Sequence, residues 1–98
     1  MGTGNFNNTG PIKTIEPATT LVDEGKSLRI LTELPGIVEE KIKIDLENHS
    51  TLVTIVASDS TNPYKKVITI PYEVRFSKKR FSDGVLELIL EKTNPDTL

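Results

Sequence analysis

The chain has 98 residues, 12 basic against 14 acidic, a net charge of −2 and no cysteine. That length holds one domain with one modest core shared between two layers. The charge balance gives no general attraction to nucleic acid or anionic lipid, and the missing cysteine excludes disulfides, thiol catalysis and thiolate metal sites.

Hydrophobic residues make up 36%, mostly Ile, Val and Leu, with no Trp. No apolar run approaches the roughly 20 residues that a membrane span needs. The opening MGTGNFNNTGP has neither the basic start nor the apolar stretch of a secretory signal. The expectation is a cytoplasmic domain with no membrane partner.

In chain order, residues 1–16 are read as a flexible N-terminal arm, since little in the Gly-, Asn- and Thr-rich start can be buried. Ile12, Ile15 and Pro17 form an edge segment or an ordered lead-in. Residues 18–23, ATTLVD, are β-branched and run into a Glu24-Gly25 turn. In residues 27–34, Leu28, Ile30, Thr32 and Leu34 share one face and Arg29, Leu31 and Glu33 the other, which is strand periodicity. Pro35-Gly36 breaks the ladder, and residues 37–40 make a short helical turn or a loop.

Residues 41–47, KIKIDLE, alternate without exception: Ile42, Ile44 and Leu46 against Lys41, Lys43, Asp45 and Glu47. That is a half-buried antiparallel strand. Asn48-His49-Ser50 turns the chain into residues 51–57, TLVTIVA, a β-branched strand. A polar turn, 58–63, precedes a further strand over 64–71, YKKVITIP, which Pro71 ends. Residues 72–80 are less regular and basic towards their end. Asp83-Gly84 suits a two-residue type I′ turn, where both residues need positive φ. After it, Leu86, Leu88 and Leu90 share one face, with Val85, Glu87, Ile89 and Glu91 on the other. Residues 93–98 read as a loose tail. About six or seven short strands with regular turn signals and no amphipathic helix mean an antiparallel sandwich or small barrel.

Chemistry is sparse. The lone His49 lies in a turn, where a histidine is more often a solvated surface residue than a base or ligand. No nucleophile motif, EF-hand loop, phosphate-binding glycine loop or zinc spacing is present. The carboxylates Glu87 and Glu91 share a strand face but stand about 13 Å apart, too far to share a metal. Arg75, Lys78, Lys79 and Arg80, interleaved with Tyr72, Phe76 and Phe81, have the composition of a single-strand stacking platform. The net acidity weighs against nucleic acid, and such charges also blunt exposed sheet edges. The expectation is no enzyme, no cofactor and no metal.

Taken together, several segments resemble the small heat shock proteins, the α-crystallin/Hsp20 domain. Glu33-Leu34-Pro35-Gly36-Ile37 is similar to that family's acidic-Leu-Pro-Gly-hydrophobic signature, and VEEKIKIDLE to its Lys-Glu-x-Ile-x-Val strand. Tyr64 to Pro71 resembles its strand that runs from an aromatic residue to a proline. Phe81-Ser82-Asp83-Gly84-Val85-Leu86 resembles its Ala-x-x-x-Asn-Gly-Val-Leu signature. The likeness covers residues 17–92 in order.

The resemblance implies an all-β, immunoglobulin-like antiparallel sandwich of about seven or eight short strands. It implies an ATP-independent holdase that binds partly unfolded client proteins and self-associates as a homodimer, or as larger oligomers where extensions exist. Partners would dock in an apolar groove between KIKIDLE and SKKRFS, lined by Ile42, Ile44, Leu46 and Phe81. A dimer-edge strand would contain Tyr64, Lys65, Lys66, Val67 and Ile68. Several features depart from the family pattern. Lys79 stands for its alanine and Asp83 for its asparagine, and the 64–71 strand has no arginine. The 58–63 connection is too short for an exchanged arm, and no Ile-x-Ile motif follows Lys92. The alternative is a p23/CS-type co-chaperone or scaffold module serving one dedicated folded partner.

Overall fold

Strict alternation becomes strand wherever one face can be buried. The computed structural model describes residues 13–59 and 62–93. They form β1 (Thr19–Asp23), β2 (Ser27–Glu33), β3 (Ile42–Glu47), β4 (Leu52–Ser58), β5 (Pro63–Thr69), β6 (Val74–Ser82) and β7 (Val85–Lys92). A single 3-10 turn, Glu39–Lys41, leads into β3, so Lys41 falls just outside the strand that the alternation predicts. Two antiparallel sheets result, one ordered β1-β2-β7-β6 and the other β3-β4-β5. The all-β sandwich expected from the sequence is the fold observed.

The core lies between the sheets. Leu28 and Ile30 of β2, Val53, Ile55 and Ala57 of β4, and Leu86, Leu88 and Leu90 of β7 are all buried. Burying a Leu, Ile or Val side chain contributes roughly 1.5–3 kcal/mol, so this doubly covered strip is the main source of stability. The opposite faces carry the charges. Arg29 of β2 bonds Glu24 at 3.0 Å and also pairs with Glu87 of β7, while Arg75 of β6 meets Glu91 at 2.9 Å.

The two sequence signatures meet in space. Asp83 and Gly84 both have positive φ, 53° and 77°, as the tight β6–β7 turn requires. The Leu34 amide donates to the Gly84 carbonyl at 2.7 Å, which seats this hairpin against the Pro35-Gly36 break.

The basic segment after Pro71 is a regular strand with one irregularity. β6 pairs with β7 from Val74↔Lys92 to Ser82↔Val85, and the register shifts between Phe76 and Lys78. Ser77 is thus the extra residue of a β-bulge. Of the arm read over 1–16, residues 1–12 lie outside the described residues, as do residues 94–98 of the tail read over 93–98.

Candidate functional site: the groove between β3 and β6

Each sheet ends in a strand with one free edge, and β3 and β6 are two such edges on the same side of the sandwich. Between them runs a groove of about 260 Å³ lined by Ile44, Phe76, Lys79 and Leu88. That volume falls just below the usual range for small-molecule pockets, so it suits a pair of apolar side chains better than a cofactor. One end is tied by the Val74 amide, which donates to the Ser50 carbonyl at 3.0 Å.

Of the residues expected to line it, Ile42 is buried in the core, while Ile44, Leu46 and Phe81 are half-buried and pack against it. Ile44 is a wall of the groove. Phe76, 43% exposed, is a lining residue that the alternation missed. Counting back from Phe81 by twos reaches residue 77, not 76. The bulge at Ser77 resets the parity and brings Phe76 to the inner side with Lys79 and Phe81. Leu88, read only as core, is also part of the groove lining.

The opposite side of the sandwich, between β1 and β5, is differently finished. Ile15 forms a parallel bridge to Tyr64: its amide donates to the Pro63 carbonyl at 2.7 Å and its carbonyl accepts from Lys65 at 3.0 Å. Glu16 pairs with Lys66 at 2.7 Å, which holds the Glu16 carboxyl below its ordinary pKa. Pro17 is buried. Tyr64, Lys65, Lys66, Val67 and Ile68 all lie on β5, an edge strand, and the lead-in segment already occupies its first half.

At one end of β1, the Tyr72 hydroxyl donates to Asp23 Oδ2 at 3.1 Å. Lys92 Nζ donates to both Asp23 oxygens at 3.1 Å and stands 4.4 Å from the centre of the Tyr72 ring. The Gly25 amide, then the Lys92 ammonium, lower the Asp23 pKa. Asp23 in turn raises that of Lys92.

The other residues singled out for chemistry stay apart. His49 is exposed on the β3–β4 turn. The carboxylates Asp23, Glu24, Glu87 and Glu91 are each tied to a basic side chain, and no group of potential metal ligands occurs among the described residues. Tyr72 lies with Lys92, away from the basic run. Phe76 and Phe81 share the inner side of β6, whereas Arg75, Lys78 and Arg80 alternate onto the outer side. Aromatic and most basic groups therefore do not form one stacking surface. No helix among the described residues is long and apolar enough to cross a membrane.

No protein-family model matches the sequence, and no curated protein matches it. Solved structures do match the fold. Heat shock protein 16.0 from Schizosaccharomyces pombe superposes with a TM-score of 0.72 at 21% identity, covering 89% of this chain and 73% of that one. The Del-C4 mutant of hsp14.1 from Sulfolobus solfatataricus P2 gives 0.72 at 20% identity, over 82% and 78% of the two chains. HSP18.5 from E. histolytica gives 0.70 at 19%, over 87% and 95%. The fold is therefore the α-crystallin-type sandwich of small heat shock proteins, as the sequence signatures imply.

Proposed function

We propose that this chain is an ATP-independent holdase domain of the small-heat-shock type, which binds partly unfolded proteins and keeps them from aggregating. The observation that carries this reading is the β3–β6 groove: an apolar trough bounded by two unpaired strand edges, with Phe76 43% exposed in it. A client segment that is transiently extended would cover the apolar lining and add its backbone to a free edge. Such a site is weak taken singly, and self-association would supply avidity. The folded unit proposed is 17–92, and the self-association strand is Tyr64–Ile68 of β5. Because Ile15 holds Pro63 to Lys65, pairing there requires the lead-in segment to move aside.

The test is light scattering from a heat-aggregating protein, without ATP, in the presence of this chain. Suppression at near-stoichiometric amounts is expected, and Ile44→Asp should abolish it while the circular dichroism of the sandwich persists. Unchanged capture by that variant would remove the groove from the mechanism. One feature favours a second reading: the β4–β5 connection, residues 59–62, has no room for an exchanged arm. A dedicated scaffold of the p23/CS type would give no suppression and instead one-to-one binding to a single folded protein.

A further inference from the structure

The groove is not uniformly apolar. Lys79 lines it, on the inner side of β6 opposite Leu88, between Phe76 and Phe81. The ion pairs of the described residues engage Arg29, Lys66, Arg75 and Lys92, and Lys79 takes part in none of them. Its neighbours Lys78 and Arg80 are exposed on the other face of the same free edge and are equally absent from these pairs. Across the groove, β3 presents Ile42, Ile44 and Leu46 inward, with Lys43, Asp45 and Glu47 exposed on the outer face. The β6 edge thus offers three cations outside these ion pairs beside an apolar trough, of which Arg80 stands opposite Glu87 in the β6–β7 ladder and Lys78 and Lys79 stand opposite apolar residues.

We propose that the groove selects extended polypeptide segments that are both apolar and acidic. They would carry apolar side chains to meet Phe76 and Phe81, and a carboxylate opposite Lys79 or flanking Lys78 and Arg80. The inference rests on the groove reading above and names the partner class of that site. The physical basis is strand alternation. A segment laid along β6 turns every second side chain toward the trough and the rest toward the outer rim. Inward positions fall beside Phe76, Lys79 and Phe81, and outward positions beside Lys78 and Arg80. Opposite charges facing each other across paired strands favour association by about 1.5- to 5-fold each, and like charges oppose it similarly. Two or three such pairs separate an acidic segment from a basic one by an order of magnitude at low salt. Salt should shrink the gap, because exposed charges are screened beyond about 10 Å at 0.1 M ionic strength.

The experiment uses the full chain and fluorescence anisotropy with four labelled ten-residue peptides. Three share Ile and Leu anchors at alternating positions except one central inward position, to face Lys79, and carry Glu, Gln or Lys there and at the remaining positions. The fourth carries Glu but has Ser in place of every apolar residue. Expected is tightest binding of the acidic-apolar peptide, by about 10-fold over its Lys counterpart, with the preference falling as salt rises. The acidic peptide without apolar anchors should not bind. Lys79→Glu, at an exposed strand position, should reduce or invert the preference without changing circular dichroism. Equal binding of the three anchored peptides, or a preference untouched by Lys79→Glu, overturns the charge selection and leaves the groove reading standing. Failure of every peptide to bind overturns both. Binding of the apolar-free acidic peptide as tightly as the anchored one also overturns the proposal, since the trough would then be irrelevant.

Discussion

Gly84 sits where two distant parts of the sequence touch. A Cβ built on it would stand 3.4 Å from the Pro35 Cα, and its φ of 77° is one that L residues rarely adopt. Gly84→Ala should therefore lower stability by about 1–2 kcal/mol, chiefly through the left-handed backbone, with a smaller share from crowding. The urea midpoint measures this, and an unchanged midpoint would mean that the turn relaxes freely. The β3–β4 turn is stranger. Asn48, His49 and Ser50 have φ of 55°, 57° and 62°, three successive left-handed residues without a glycine. The Thr51 hydroxyl and amide both donate to the Asn48 carbonyl, at 2.6 and 3.3 Å, and help hold it.

The Asp23, Tyr72 and Lys92 cluster gives a signed pH dependence. The Asp23 pKa is lowered, by the Gly25 amide first and Lys92 second, so its contribution is complete above the unfolded carboxyl value. It is lost as pH falls through the lower native one. Lys92 is raised by Asp23, and Tyr72 is raised by burial first and by Asp23 second. Their contributions are complete below their unfolded values and are lost as pH rises through the higher native ones. Stability should be flat across neutral pH and fall on both sides, below about pH 4 and above about pH 10. Asp23→Asn should flatten part of both limbs in a series of urea midpoints. A variant profile parallel to the parent would show that the three groups are not coupled.

At the level of strands, the groove is a consequence of which edges are finished and which are left open. On β5 the chain finishes its own edge with Ile15, Glu16 and the buried Pro17. Proline has no N–H, so Ile15→Pro deletes the bond to the Pro63 carbonyl. The variant should expose Tyr64–Ile68 and raise the dimer fraction in sedimentation velocity, and acid should do the same as Glu16 protonates and lets go of Lys66. A variant that stays as monomeric as its parent would exclude β5 as the pairing edge.

The same contrast explains what the sequence disclosed. β2, β3 and β7 alternate cleanly because one face of each meets the core and the other meets water, so their periods and their buried residues are readable directly. β6 is an edge strand over a half-open trough. Its inner positions, Val74, Phe76, Lys79 and Phe81, mix aromatic, aliphatic and charged residues, and the bulge at Ser77 breaks the period in the middle. Both effects hide the strand, and the second hides Phe76 from the groove. Ile15, read as part of an edge segment or an ordered lead-in, does join the edge of β5, but a single bridge leaves no periodicity from which its partner strand could be read.

For the whole molecule, the two sides of the sandwich are unequal. One is closed by the chain's own lead-in segment, the other is left open along β3 and β6. A sandwich sealed on both sides would have nothing to offer a partner, and one open on both would expose two apolar rims.

The pairing of β2 with β7, Ile30 opposite Leu88, has a consequence during synthesis. β3, β4 and β5 are joined by successive hairpins and can pair as soon as each emerges from the ribosome. The four-stranded sheet cannot: its central strand β7 is the last one translated, and until then β2 has no neighbour on that side and the leucine face is missing. Through most of its own birth this domain exposes the kind of unpaired, apolar strand that it is proposed to bind in others.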